Sequence, residues 1–503
     1  MNPNSTQPTN QKPERLPTIG LVLGAVLFLV ILFFADMGNA VVSRTAAVGV
    51  LMAVWWTTQA LPLAITALLP LVLFPALGIQ SGKETASTYT NWIVFLYIGG
   101  FLVALAMERW NLHRRIALHI LARSGSSPSA ILFGFMAATA FLSMWISNTA
   151  TTMMMIPIGI AILLKWEELT KIQGRHAFGI GLMLAIPYAS SIGGISTLVG
   201  TPPNMTFVGI YEQSFPGRES ISFTTWLIFA FPITLTLFAI TWFLLTRPFK
   251  TLNNEGHSTR LSGEIIQQEL QKLGPMNKAE SRVLAIFCFL AIAWLFRSPL
   301  SLPWFIVPGW SALFSTPKFI DDGTVAIAFA LLLFIIPSGK IPGERLLDAS
   351  ILPKLPWGIV LLFGGGFALA SGFESSGLSL WVGEQLTLFR NLPLPILIAL
   401  VCLVITFLTE VTSNTASAQI LLPLLAAMAI ELGYDPLLIM IPGTITCSCA
   451  FMLPVGTPPN AIAFGSGRLE MRDMVRSGLA LNLISVVVVT AAMLLYERVV
   501  FGI

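Results

Sequence analysis

Eleven apolar stretches near spanning length recur along the chain, at about residues 18–35, 45–60, 61–77, 92–108, 178–198, 224–246, 281–297, 323–338, 356–373, 436–455 and 475–495. The yardstick is that ~20 apolar residues cross about 30 Å of hydrocarbon as a helix. Two further regions break the pattern. Residues 129–146 are apolar, Ser-Asn-Thr-Ala-Thr-Thr intervenes, and 153–164 are apolar again; 393–408, the polar run Thr409 to Ser417, and 418–430 repeat the design. Each arm falls at or below the length of a span. One such interruption would read as a single span whose serine and asparagine bind a neighbouring helix. Two in the same form predict re-entrant helical hairpins with a polar word at each buried tip.

The polar words themselves are duplicated. Ser147-Asn148-Thr149-Ala150 recurs as Ser413-Asn414-Thr415-Ala416, and each is followed by an identical Gly-Thr-Pro-Pro-Asn, at 200–204 and 456–460. The match extends upstream, because Tyr97-Ile-Gly-Gly-Phe101 aligns with Phe363-Gly-Gly-Gly-Phe367, an offset of 266 residues. Between the two Gly-Thr-Pro-Pro-Asn words the offset falls to 256, the second half having lost most of the basic loop around 166–177. Five spans lie between equivalent points, and an odd number sets the two copies in opposite orientation, an inverted repeat with its site near the membrane midplane. Arginines and lysines at 109–123, 165–175, 247–250 and 468–476 put those segments in the cytoplasm by the positive-inside rule. The expectation is an N-terminus inside, a C-terminus outside, a first hairpin entering from the cytoplasm and a second from outside. Residues 1–16 read as a disordered polar tail with no cleavable signal. Residues 247–280 read as a cytoplasmic loop holding a solvated amphipathic helix and a linker.

Composition agrees and narrows the class. Of 503 residues 55% are hydrophobic and 10% charged, with a net charge of +4. A soluble domain is about a quarter charged. No basic stripe with interleaved aromatics points to nucleic acid. The four cysteines, Cys288, Cys402, Cys447 and Cys449, lie in apolar runs without a histidine beside them, which reads as packing and not as a metal set. An intramembrane enzyme would need a nucleophile–base pair or metal ligands, and neither His-Glu-x-x-His nor Gly-x-Ser-x-Gly occurs. The sequence therefore predicts no enzyme and no organic cofactor.

The repeated words carry the chemistry. Two consecutive prolines must break a helix. The break frees carbonyls that can bind a cation and starts a second half-helix whose N–H groups favour an anion. Hydroxyl and amide oxygens suit a hard cation such as Na⁺, by analogy with other oxygen-seeking ions. Ser143, Ser147 and Asn148 with the Gly200 carbonyl form one candidate Na⁺ cage; Thr409, Thr412 and Asn414 with the Gly456 carbonyl form its symmetry mate. Neither motif contains Arg or Lys, so an anionic ligand would take its counter-charge from the cations and helix ends. Glu410 reads as a hydrogen-bonded structural carboxylate, its first-half counterpart being Met144. Glu108 and Glu374 read as solvated span ends, and His113 and His119 as anchors on an interfacial helix.

These words, with Phe407-Leu-Thr-Glu-Val-Thr412 leading into the second copy, resemble the divalent anion/sodium symporter family from about residue 45 onward. The resemblance implies an all-α polytopic protein with eleven transmembrane helices and two hairpins, a homodimer in a bacterial inner membrane, working by an elevator motion. Residues 17–127 and 281–392 would form its scaffold, and 128–246 and 393–503 its transport domain. It also implies that Asn148, Thr149, Thr201, Ser413, Asn414, Thr415 and Thr457 contact substrate carboxylates. The expected activity is sodium-coupled uptake of a C4-dicarboxylate such as succinate, malate or fumarate. Citrate, tartrate or sulfate as substrate, or sodium-independent exchange, are the alternatives. One departure, Gln59 where relatives usually carry Glu, is expected to lie away from the site.

Overall fold

In the computed structural model, which describes residues 15–125, 127–171, 174–248, 261–302, 305–496 and 500, the chain is helical almost throughout. The exceptions include a short antiparallel ribbon pairing Leu300–Leu302 with Phe305–Val307. Among the described residues nine helices are long and apolar enough to cross a membrane. A tenth appears if Leu378–Phe389 and Leu394–Thr409, bent by 115°, count as one span. The expected tail lies outside the described residues up to residue 14, as does the linker at 249–260. The amphipathic helix expected beyond that linker runs over Leu261–Leu273.

The departures from the expected spans have local causes. The stretch 61–77 is not one helix but two, Leu63–Thr66 and Leu69–Ala76, because Pro70 has no N–H to continue the first turn. Asp321 caps Asp322–Ile335, which stops short of the expected 338 because Ile336 turns extended before Pro337, a residue that cannot continue the helix. The stretch 436–455 is helical only over Leu437–Thr446. The second arms of both interrupted regions are longer than expected: Asn148–Thr170 has 23 residues and Asn414–Leu432 has 19. Each begins at the tip asparagine, so the polar word forms the first helical turn. Ser147 permits this in the first copy, its hydroxyl accepting the Ala150 N–H at 3.3 Å.

The repeat is visible in the packing. Tyr97 and Phe363, equivalent by the 266-residue offset, meet edge to face with ring centroids 5.3 Å apart, so the two copies touch at corresponding positions. Trp92–Arg109 and Trp357–Ser376 supply this contact. Ionic contacts then tie the copies together at one end, where Arg468 Nη1 lies 2.5 Å from Glu167 Oε1 and Arg175 pairs with Asp473. Glu374 is exposed as expected, whereas Glu108 is half-buried.

Close backbone approach seats the first interrupted region. A Cβ on Gly193, in the helix Ala177–Ile195, would stand 2.3 Å from the Ala140 carbonyl oxygen of Pro128–Ser143. That oxygen belongs to a packed helix and cannot yield without moving it. Gly193→Val should therefore lower stability by about 1–3 kcal/mol, read as a reduced thermal-unfolding midpoint of the detergent-solubilised protein. The same change at Gly217, which has open space around it, should leave the midpoint unchanged.

Candidate functional site

Both Gly-Thr-Pro-Pro-Asn words interrupt helices. The first lies between Ala177–Ile195 and Pro202–Ser214, the second between Leu437–Thr446 and Pro458–Gly465. Proline enters at the first helical turn after each break, where its missing N–H costs nothing. The freed backbone is then held by the asparagine that ends the word. Asn204 Nδ2 donates to the carbonyls of Gly194, Ile195 and Thr197 at 3.2, 3.2 and 2.7 Å. Asn460 Nδ2 donates to Ala450 and Leu453, both at 3.1 Å. The spacing is the same in both halves, ten and seven residues back. Both asparagines are fully buried.

The tips dock onto these breaks. In the first half the Ser143 hydroxyl lies 2.5 Å from Asn148 Oδ1, and Ser190 Oγ donates to the Asn148 carbonyl at 2.9 Å. A Cβ added at Gly194 would fall 2.7 Å from Asn148 Oδ1 and 3.1 Å from the Gly200 carbonyl oxygen. These two oxygens thus converge beside a bare glycine, with the Ser143 hydroxyl at hand. Ser147 turns its hydroxyl to its own helix, and Thr197 Oγ1 donates to the Met144 carbonyl at 2.5 Å.

In the second half Thr409 Oγ1 lies 2.8 Å from Asn414 Oδ1 and 2.9 Å from the Cys447 carbonyl. Thr412, expected in the same cage, points elsewhere, to the Leu408 carbonyl at 2.9 Å and Ser417 Oγ at 2.5 Å. Where the first half uses Thr197, the second uses Glu410. Its carboxylate accepts the N–H groups of Phe451, Met452 and Leu453 at 2.7, 2.8 and 2.9 Å, and Asn482 Nδ2 at 2.7 Å. All four partners are donors, three on Oε1 and one on Oε2.

One cavity of about 940 Å³ receives both halves. Ser147, Asn148, Thr149, Gly200 and Thr201 line it from the first repeat, and Ser413, Asn414, Thr415, Gly456 and Thr457 from the second. Ser143, Thr409 and Thr412 are buried behind the tips and do not reach it. Four helices begin at this cavity, Asn148–Thr170, Pro202–Ser214, Asn414–Leu432 and Pro458–Gly465. Their positive ends favour an anion. No lining side chain is charged. The chemistry on offer is hydroxyls, amides and helix N-termini for an anion, with carbonyl and amide oxygens behind them for hard cations.

Three participants were not foreseen. Asn204 and Asn460 stood inside a quoted word without a role, and Ser190 shows in sequence only as a polar pair, Ser190-Ser191, in a buried span. Gln59 corrects an expectation outright. It lines the cavity with Ala60, Leu61, Pro62 and Leu63, because the chain turns sharply where the helix Ala40–Thr58 ends.

Comparison with known proteins gives the family. The family model for the sodium:sulfate symporter transmembrane region matches residues 18–503. A sodium-dependent dicarboxylate transporter, SdcS, of Staphylococcus saprophyticus is 40% identical over 496 residues, 96% of this chain and 92% of the relative. Its namesake in Staphylococcus aureus is 42% identical over 492 residues, with the same shares covered. Among solved structures, the YdaH transporter of Alcanivorax borkumensis superposes with a TM-score of 0.55, covering 97% of each chain at 14% identity. MtrF of Neisseria gonorrhoeae gives 0.59 at 14% identity, over 97% of this chain and 96% of that one. At that identity these two share the fold alone.

Glu410→Ala would strip the acceptor from three backbone N–H groups and the Asn482 amide. A loss of about 3 kcal/mol or more is expected from unpaired buried donors, measured as a fall in the thermal midpoint. Glu410→Gln, which keeps one carbonyl acceptor, should fall in between.

Proposed function

Because the chain belongs to the sodium:sulfate symporter family, we propose that this multi-pass membrane transporter couples inward movement of a C4-dicarboxylate, such as succinate, malate or fumarate, to Na⁺. The observation that carries the reading is the shared, uncharged cavity into which both Ser-Asn-Thr tips and both broken helices open. The dicarboxylate is favoured by relatives named for sodium-dependent dicarboxylate transport at 40% and 42% identity.

The mechanism follows from charge. Na⁺ is held by Asn148 Oδ1, the Gly200 carbonyl and Ser143 on one side, and by Thr409, Asn414 and the second break on the other. A doubly charged anion enters a cavity without Arg or Lys and is held by the tip hydroxyls and amides of Asn148, Thr149, Ser413, Asn414 and Thr415. Thr201 and Thr457 stand at the half-helix N-termini beside it. Four positive helix ends offset part of the charge, and the cations supply the rest. Without them the anion is under-compensated in a low-dielectric site, so neither ligand binds well alone.

The tips and breaks, residues 128–246 and 393–503, move together as the transport domain, carrying the bound ligands past a scaffold of 17–127 and 281–392. The protein works as a homodimer in the bacterial plasma membrane, N-terminus inside and C-terminus outside.

In proteoliposomes with an inward Na⁺ gradient, labelled succinate should accumulate, and replacing Na⁺ by choline should stop it. Asn148→Ala and Asn414→Ala should each reduce uptake by about a hundredfold or more while the purified variants keep a sharp unfolding transition. Full activity in either variant removes the shared-site reading. Competition by unlabelled citrate or sulfate stronger than by succinate would reassign the substrate.

A further inference from the structure

Where Pro202–Ser214 ends and Phe223–Thr246 begins, hydrogen bonds run between the segments assigned above to the transport domain and to the scaffold. Trp92 Nε1 donates to Glu212 Oε2 at 2.6 Å, and the Ser220 hydroxyl donates to the same carboxylate. The Phe223 N–H donates to Asp322 Oδ2 at 2.9 Å. Thr224 Oγ1 donates to the Leu295 carbonyl at 2.8 Å. Among the described residues, the other hydrogen bonds across this division lie beside the chain's own crossings, from Ala130 and Ile131 to Ser127 and from Arg390 to Glu431.

Two of the clustered bonds close helix ends. The first N–H groups of a helix and its last carbonyls have no partner within it. Asp322, on the scaffold side, takes the N–H that opens Phe223–Thr246. Thr224, on the transport side, takes the carbonyl that ends Lys278–Leu295. Each side thus satisfies an orphan group of the other. Phe223, Thr224 and Asp322 are all buried, but helix ends can take water instead once two surfaces part. The contact can therefore open without stranding its polar groups. Asp322 is fixed from its own side: Arg297 holds its Oδ1, and Trp294 Nε1 donates to its carbonyl at 3.0 Å. Phe223 also stacks on Trp294, with ring centroids 4.8 Å apart, and on Trp145 at 6.0 Å. Trp145 lines the cavity, so the cluster touches its wall.

Resting on the division into a scaffold and a moving transport domain, we propose that this cluster is a latch. It holds the conformation described here and opens in each transport cycle. The bonds of Glu212, Phe223 and Thr224 are the ones that part, while the Arg297–Asp322 pair stays with the scaffold as the fixed half.

Two variants weaken the latch without touching the cavity lining. Trp92→Phe removes a donor and keeps a ring; Thr224→Val removes a hydroxyl and keeps the shape. Spin labels on cysteines replacing Glu219 and Leu313, both exposed, report the separation of the two sides by pulsed dipolar spectroscopy in liposomes. The background carries Cys288→Ser, because Cys288 is exposed, and excess unlabelled chain is co-expressed so that a dimer holds one labelled protomer. The wild type should show a short distance with a longer one as the minor population. Trp92→Phe should raise the ratio of long to short about tenfold, the worth of a hydrogen bond to a charged group, and Thr224→Val about fivefold. Lost packing alone would lower the thermal midpoint without moving this ratio. Two distances in the wild type, with the ratio unmoved in both variants, overturn the latch and leave the moving domain in place. A single distance in the wild type and in both variants overturns the latch and the moving domain together.

Discussion

Backbone groups that leave a helix inside hydrocarbon must find partners, because each one left bare costs several kcal/mol. Everything at this site answers that constraint. Two helices are broken deep in the protein, and each break exposes a run of carbonyls and amides. The same five-residue word that makes the break also repairs it: the prolines stop one helix and start the next, and the asparagine reaches back ten and seven residues to hold the loosened carbonyls. With those carbonyls pinned, a glycine at the head of the word can bring its own carbonyl beside the tip. In the first half the Gly200 oxygen and Asn148 Oδ1 stand together at Gly194 for this reason. The cavity is thus the space left when two repaired breaks face two helix tips.

The halves reach similar geometry by different chemistry. Met144 offers only its carbonyl, taken by the Thr197 hydroxyl; its counterpart Glu410 gathers three consecutive N–H groups of the second break and an amide from Asn482. The second break is correspondingly longer, running from Thr446 to Pro458 against Ile195 to Pro202 in the first. A longer unwound stretch has more donors to satisfy, and a carboxylate with two oxygens can accept several. The asymmetry is therefore a consequence of the length of the break, not a departure from the duplicated plan.

The duplicated words and the helix breaks were legible in the sequence because polar residues in an apolar chain are conspicuous and proline has one physical effect. That both words meet at one cavity was legible because they recur in the same order. Other features depended on contacts that no spacing announces. Asn204 and Asn460 act on distant carbonyls, which leave no mark in the sequence. Ser190 lies in a span that is otherwise mostly apolar, and only folding sets it beside Asn148. Gln59 was misplaced because the stretch after residue 58 reads as the start of another span. The left-handed turn, unusual for a residue with a Cβ, instead sends 59–63 along the cavity wall. Span lengths erred where the helix ends decide them: Pro337 cuts one helix short, and Ser147 lets another begin at the tip.

A cavity without fixed charge has a thermodynamic consequence for the proposed symport. An arginine facing the ligand would hold a dicarboxylate whether or not sodium were present, and would bind it at the same strength on both sides of the membrane. In the proposed symport the counter-charge would arrive with the cations and leave with them. If sodium raises anion affinity by some factor, the anion must raise sodium affinity by the same factor. Neither partly loaded state is then well populated, and partial loading is what allows a transporter to leak one gradient without moving the other solute. Serine, threonine and asparagine at the tips, in place of a basic residue, would thus exchange tight binding for obligatory coupling. Buried amides and hydroxyls carry this role because they can stay in hydrocarbon uncharged when the cavity is empty, paired with the backbone that the breaks expose.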